Sequence, residues 1–212
     1  NIKFYPFTLK ECEDYYRELS INMTRRDIVE SYMILGGIPY YMSYFRKGYS
    51  LPQNIDRLFF AKDAKLDDEY NRLFGSIFTS PDDYKKIVEL LATRRGGYTR
   101  DEISTKTGIS NGGGLTTILK ALAASGFIVK YNPFVMGKGE CRYKLVDHFC
   151  RFWLKFKEPN KDSHDYNLWQ HSCQLPMTNT WRGYAFEDVC FDHIPQIKRA
   201  LGISGIVTEE SA

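Results

Sequence analysis

No stretch of this sequence approaches the roughly 18 consecutive apolar residues of a membrane-spanning helix, which argues against a membrane partner. Its opening, Asn1 to Phe7, lacks the basic-then-apolar pattern of a secretory signal. It also lacks a leading methionine, so we read the chain as part of a longer protein. Cysteine is sparse. Cys12, Cys141, Cys150, Cys173 and Cys190 are odd in number and widely spaced with no C-x-x-C pair, which argues against a disulfide framework or a structural zinc site and for reduced thiols in a cytoplasm. No G-x-x-x-x-G-K-[ST] motif occurs: Gly112, Gly113 and Gly114 are followed by Leu-Thr-Thr, and Gly137-Lys138-Gly139-Glu140 has no strand-to-helix setting. No repeat or low-complexity tract is present, and no complete catalytic constellation emerges.

What the chain does have is apolar sequence enough for real cores, 43% of 212 residues, with 15% aromatic residues. That length suits two or three small units. The net charge of +3 is too small to name a partner, so its distribution matters. Residues 81–145 hold 11 Lys or Arg against 6 Asp or Glu, whereas residues 1–80 balance at 11 each and residues 146–212 hold 7 against 9. The positive surplus lies in the middle.

The first eighty residues read as helical, with amphipathic runs at 9–19 and 27–35. Gly36-Gly37-Ile38-Pro39 stops the second run, and taken alone it is a helix terminator. Further helical pattern covers 40–45 and 52–78. From Ser80 the punctuation sharpens. Pro81 with Asp82 and Asp83 opens a helix that Gly96-Gly97 ends, and Thr99 with Glu102 forms a capping box on a short helix ended by Gly108. A third helix is expected at 115–125, then strands at 127–131 and 141–145 around a loose tip. Three helices followed by a hairpin is the order of a winged helix-turn-helix. Beyond it, helices are expected at 147–156 and 184–201, the latter after a Trp181-Arg182-Gly183 turn, and a strand at 203–208.

A winged helix points to double-stranded DNA, with its third helix in the major groove. Arg94, Arg95, Arg100, Lys106, Lys120, Lys130, Lys138, Arg142 and Lys144 are the candidate phosphate contacts, and Thr116 and Thr117 with Lys120 face the bases. Two threonines and a lysine read sequence poorly. The same fold also serves as a protein-contact module, and both readings stand at this point. Elsewhere, His164, His171 and Cys173 match no common zinc spacing, and Cys190 with His193 reads as a core thiol beside a surface imidazole.

Five blocks in order resemble the region that follows the nucleotide-binding core in prokaryotic, archaeal-type AAA ATPases. They are residues 4–12 (FYPFTLKEC), 32–41 (YMILGGIPYY), 73–76 (LFGS), 99–103 (TRDEI) with 110–113 (SNGG), and 181–190 (WRGYAFEDVC) with 197–202 (IKRALG). The resemblance implies a mainly α chain in three parts: a helical lid-like subdomain at 1–79, the winged helix at 80–145, and at 146–212 a helical linker with the first elements of a truncated α/β domain similar to PD-(D/E)XK nucleases. It implies that ATP and Mg belong to an upstream ATPase core, with Gly37 and Pro39 near the nucleotide in the intact protein. It further implies that Glu187 joins a metal cluster only when later nuclease motifs are present, and it leaves an oligomeric assembly open. We expect a regulatory, DNA-contacting region with no complete catalytic site of its own, placing Glu187 and Asp188 off the core stripe of their helix.

Overall fold

The computed structural model describes residues 5–133 and 140–207. They are mainly helical, with three short strands, and no helix is long and apolar enough to cross a membrane. The chain divides into two compact units, one made of the residues up to Asp67 and from Lys157 onward, the other of Asp68–Phe156.

In the first unit, α1 (Leu9–Glu18), α2 (Arg25–Leu35) and α4 (Leu51–Phe59) each begin at a reciprocal capping box, from Thr8 and Glu11, Thr24 and Asp27, and Ser50 and Gln53. Each box satisfies free amide groups at a helix start. The Thr24 box opens α2 two residues before the expected Asp27. Gly36 ends α2 in the left-handed region, and Gly37 follows at φ +68°. A Cβ on Gly37 would lie 2.4 Å from the Phe7 carbonyl oxygen, while Phe7 N–H donates to Gly37 O at 2.8 Å. Here glycine is required by close approach of the chain's own backbone. The short α3 (Pro39–Met42) follows, and Tyr16, Ile34, Leu35, Met42, Ile55, Leu58 and Phe59 form the core.

Four long-range polar contacts close the C-terminal residues onto this bundle. Buried Asp56 accepts from the Trp169 and Gln170 amides at 2.7 and 3.2 Å, capping α10 (Leu168–Ser172), which lacks a cap from its own flank. Arg182, on α11 (Pro176–Asp192), pairs with Glu30 of α2 at 2.6 Å, both side chains largely enclosed. Lys157 pairs with Asp67 at 2.6 Å. His193 Nε2 accepts from Leu9 N–H at 2.9 Å while Nδ1 meets the Val189 carbonyl at 2.8 Å, which assigns its proton to Nδ1.

Several expectations change here. The Trp181-Arg182-Gly183 stretch lies inside α11, because Pro176 supplies a helix start that precedes it. The expected helix at 184–201 is interrupted at His193, and α12 (Ile194–Ala200) begins anew with Pro195, which has no amide hydrogen to continue α11. His193 is buried, not a surface imidazole, and Asp188 is buried too. Residues 203–207 form turns and no strand, while Thr208 lies outside the described residues.

In the second unit, α5 (Glu69–Ile77), α6 (Asp82–Ala92), β1 (Tyr98–Thr99), α7 (Arg100–Thr107), α8 (Gly113–Ala124), β2 (Ile128–Tyr131), β3 (Arg142–Leu145) and α9 (His148–Phe152) follow in order. The sheet is antiparallel in the order β1-β3-β2, with Tyr98 opposite Tyr143 and Ile128 opposite Leu145. The two-residue β1 has no signature of its own in the sequence. Ile87, Val88, Leu91, Ile103, Leu115, Leu119 and Leu122 are buried, as their helical spacing requires. Phe127 stacks on Phe74 at 4.8 Å between ring centroids, bringing α5 into the same core.

The Glu30–Arg182 pair gives a direct check. Arg182→Ala leaves an enclosed carboxylate without its partner and should lower stability by about 3 kcal/mol. A Glu30→Leu, Arg182→Met double variant should lose much less. Urea unfolding followed by tryptophan fluorescence, with Trp169 buried beside the pair, reads both; equal losses would contradict the enclosed-pair account.

Candidate nucleic-acid interface

The cationic residues of the middle region fall on the second unit, and the structure sorts them into two groups. The first is built around Gly97. At φ +63°, a Cβ here would lie 2.0 Å from the Tyr143 carbonyl oxygen, so only glycine lets β1 start so close to β3. The Gly97 carbonyl accepts from Arg94 Nε at 2.7 Å and from Arg142 Nη1 at 3.3 Å. Arg94 also reaches Glu102 at 2.6 Å, and Arg142 lies 3.9 Å from the same carboxylate. Glu102 further closes the α7 capping box, accepting from Thr99 N–H at 2.7 Å. The Arg94 guanidinium lies 3.7 Å over the buried Tyr98 ring, with Lys106 Nζ 5.9 Å from the same ring. Two of the expected phosphate contacts, Arg94 and Arg142, each about one-third exposed, are thus engaged within the unit by an acidic residue that its sequence position marks only as a helix cap.

Arg100 has a similar internal task. Its Nε donates to Asn111 Oδ1 at 2.6 Å and its Nη2 to Gly112 O at 2.8 Å, while Asn111 Nδ2 donates to Asp101 at 2.5 Å. These bonds fix the turn between α7 and α8. Lys144 Nζ lies 5.3 Å from the Tyr131 ring on the hairpin, and Arg95 is half-buried.

The second group faces outward. Lys120 on α8 and Lys130 on β2 are exposed, as is Lys106 at the end of α7. Gly113, Gly114 and Thr117 share the exposed surface of α8, with Thr116 half-buried. The first turn of α8 has no side-chain cap, and a Cβ on Gly112, Gly113 or Gly114 would meet open space. Thr116 and Thr117 donate their hydroxyls back to Gly112 O and Gly113 O, at 3.3 and 3.1 Å, the four-residue return bond that hydroxyls make in helices. Both hydroxyl protons are therefore engaged within the helix. Lys138 and the expected loose tip at 137–139 lie outside the described residues.

The remaining candidates lie in the other unit. Gly37 is buried, with Phe7 filling the space beside its Cα, and Pro39 is half-buried next to exposed Tyr40. Glu187 is half-buried on α11. His171 pairs with Asp165 at 2.8 Å, Cys173 is buried, and burial raises the Cys190 thiol pKa. Among the described residues, no three His, Cys, Asp or Glu side chains are grouped to hold a metal ion. Comparison with protein-family models, with curated proteins and with solved structures finds no match to this chain.

Hydrogen bonds from Arg94, then from the Thr99 amide, hold the Glu102 carboxyl down to about 2, from an ordinary 4.5. A depressed folded-state value means that this stabilisation is complete above about pH 4.5 and is lost as pH falls toward 2. Because the side chain is about one-third exposed, the effect is on the order of 1 kcal/mol after solvent screening. Glu102→Gln keeps the capping geometry and removes the charge. It should be less stable than the parent at pH 6, with the gap narrowing below about pH 4.5 and closing only as pH reaches about 2; a gap that stays constant with pH would contradict the assignment.

Proposed function

We propose that Asp68–Phe156 is a winged helix-turn-helix unit that lies on duplex DNA through phosphate contacts, within the C-terminal region of an ATP-driven AAA-type protein. The observation that carries the reading is the order of α6, α7 and α8 followed by the β2–β3 hairpin, combined with the outward surface of α8. Glycines at its start let a phosphate approach the helix amides, whose partial positive charge favours an anion. Lys106, Lys120 and Lys130, exposed on the same unit, would supply the charge. With the threonine hydroxyls bonded back to the helix and no Arg, Asn or Gln after Asn111 on α8, contact is to backbone and shape rather than to base edges.

ATP and Mg are assigned, by the resemblance, to the upstream core. By the same resemblance Gly37 and Pro39 lie near the nucleotide in the intact protein; within this chain the Phe7 backbone packs against Gly37. Among the described residues no further metal ligands are grouped with Glu187, and by the resemblance its metal role depends on the later nuclease motifs. The parts before and after the winged helix act as positioning and regulatory elements of the intact protein.

A second reading, the same unit as a protein-contact or oligomerisation module, draws on the internal engagement of Arg94, Arg100 and Arg142. The salt dependence of binding separates the two, because phosphate contacts release counterions. Fluorescence anisotropy against two unrelated duplexes should give similar affinities and a log–log salt slope of about −3, from roughly three phosphate contacts. Lys120→Ala with Lys130→Ala should weaken both duplexes equally and flatten the slope by about 2. No binding at low salt, or binding indifferent to both substitutions, would favour the protein-contact reading.

A further inference from the structure

A groove runs along the first unit between α2 and α11, enclosing about 370 Å³ and lined by Arg25, Arg26, Val29, Met33 and Phe186, with Glu30 and Arg182, already paired with each other, completing it. Its floor is apolar. Phe186 remains 51% exposed in the middle of a seventeen-residue helix that otherwise buries Ala185 and Val189. One turn before it stands Gly183, exposed, with nothing within 4 Å of where a Cβ would be. A glycine inside a helix costs about 1 kcal/mol relative to alanine, and packing within the chain gives no reason for it. Close approach of another backbone does.

The wall of the groove is cationic where helix physics disfavours cations. Arg25 and Arg26 occupy the first turn of α2, whose macrodipole already places positive charge there. Arg25 is 91% exposed and only 3.6 Å from Glu13, and Arg26 is exposed with no ion pair among the described residues. Arg182, by contrast, is engaged with Glu30 and closes the bottom of the groove. An apolar floor beneath two outward arginines complements a surface of opposite charge carried on an apolar face.

We infer that the α2–α11 groove docks an acidic amphipathic helix from a partner protein, with apolar residues seated on Val29, Met33 and Phe186 and carboxylates reaching Arg25 and Arg26. Gly183 lets the partner helix come close beside Phe186. This inference rests on the first unit alone and does not depend on DNA binding by the second.

The test uses the full chain and a fluorescein-labelled sixteen-residue helical peptide with Leu at every third or fourth position on one face and Glu flanking them. A control peptide carries Lys for each Glu. The acidic peptide should bind at micromolar concentration and the basic one at least tenfold more weakly. Arg26→Glu should lose at least tenfold in affinity while the protein becomes no less stable, since the change suits the helix dipole; a merely structural arginine would not give that combination. Phe186→Ala should weaken binding to a similar degree with the fold retained, shown by unchanged circular dichroism. Equal binding of both peptides, retained affinity in Arg26→Glu, no binding of the acidic peptide, or occupation of the groove by a second copy of this chain in sedimentation would each overturn the proposal.

Discussion

The second unit depends on the close approach of Gly97 to Tyr143. Only at that separation does β1 join β3, and only then do Arg94 and Arg142 meet the Gly97 carbonyl and the Glu102 carboxylate together. One glycine and one carboxylate thereby tie the end of α6, the start of α7 and the hairpin. The chemistry is economical because Glu102 serves as a helix cap and a counter-ion in one position. A side chain at position 97 would have to move a strand backbone, and a neutral residue at position 102 would leave two guanidinium groups without their shared anion. The same knot decides the electrostatics of the surface. It engages Arg94 and Arg142 with the Gly97 carbonyl and the Glu102 carboxylate, while Lys106, Lys120 and Lys130 are exposed.

The first unit is held differently. Its apolar core is supplemented by polar bonds that join residues far apart in sequence, Asp56 to the start of α10, Glu30 to Arg182, Asp67 to Lys157 and Leu9 to His193. Asp56, His193, Lys157 and the Glu30–Arg182 pair are enclosed enough that losing the other side leaves a polar group away from water, whereas Asp67 stays largely exposed. They also explain why the final third of the chain packs with the first. In this set the buried His193 imidazole is a structural acceptor, with Nε2 taking the Leu9 amide and Nδ1 facing the Val189 carbonyl, where its spacing from Cys190 suggested a surface imidazole.

Much of the middle region was legible in the sequence because its signals are local. Thr99 and Glu102 cap α7, Gly108 ends it, and Leu115, Leu119 and Leu122 recur at helical spacing, so each boundary follows from a few neighbouring residues. What escaped the reading was non-local or ambiguous. Tyr98 and Thr99 form a strand only because β3 lies beside them. Gly183 resembles a turn residue, yet the helix from Pro176 runs through it. The pairing of Glu30 with Arg182, across 152 positions, leaves no trace in either local sequence. The surplus of cationic residues in the middle region is plain in the sequence, but what each arginine contacts depends on a carboxylate, a carbonyl or a turn that only the fold brings close.

The account turns on whether α8 and the hairpin meet duplex DNA. Amide hydrogen exchange on the full chain, with and without a twenty-base-pair duplex at low salt, addresses this residue by residue. The account predicts added protection across the first turn of α8, from Gly113, and along β2 around Lys130, with α1, α2 and α11 unchanged. Protection confined to the first unit, or none anywhere at saturating duplex, would contradict it.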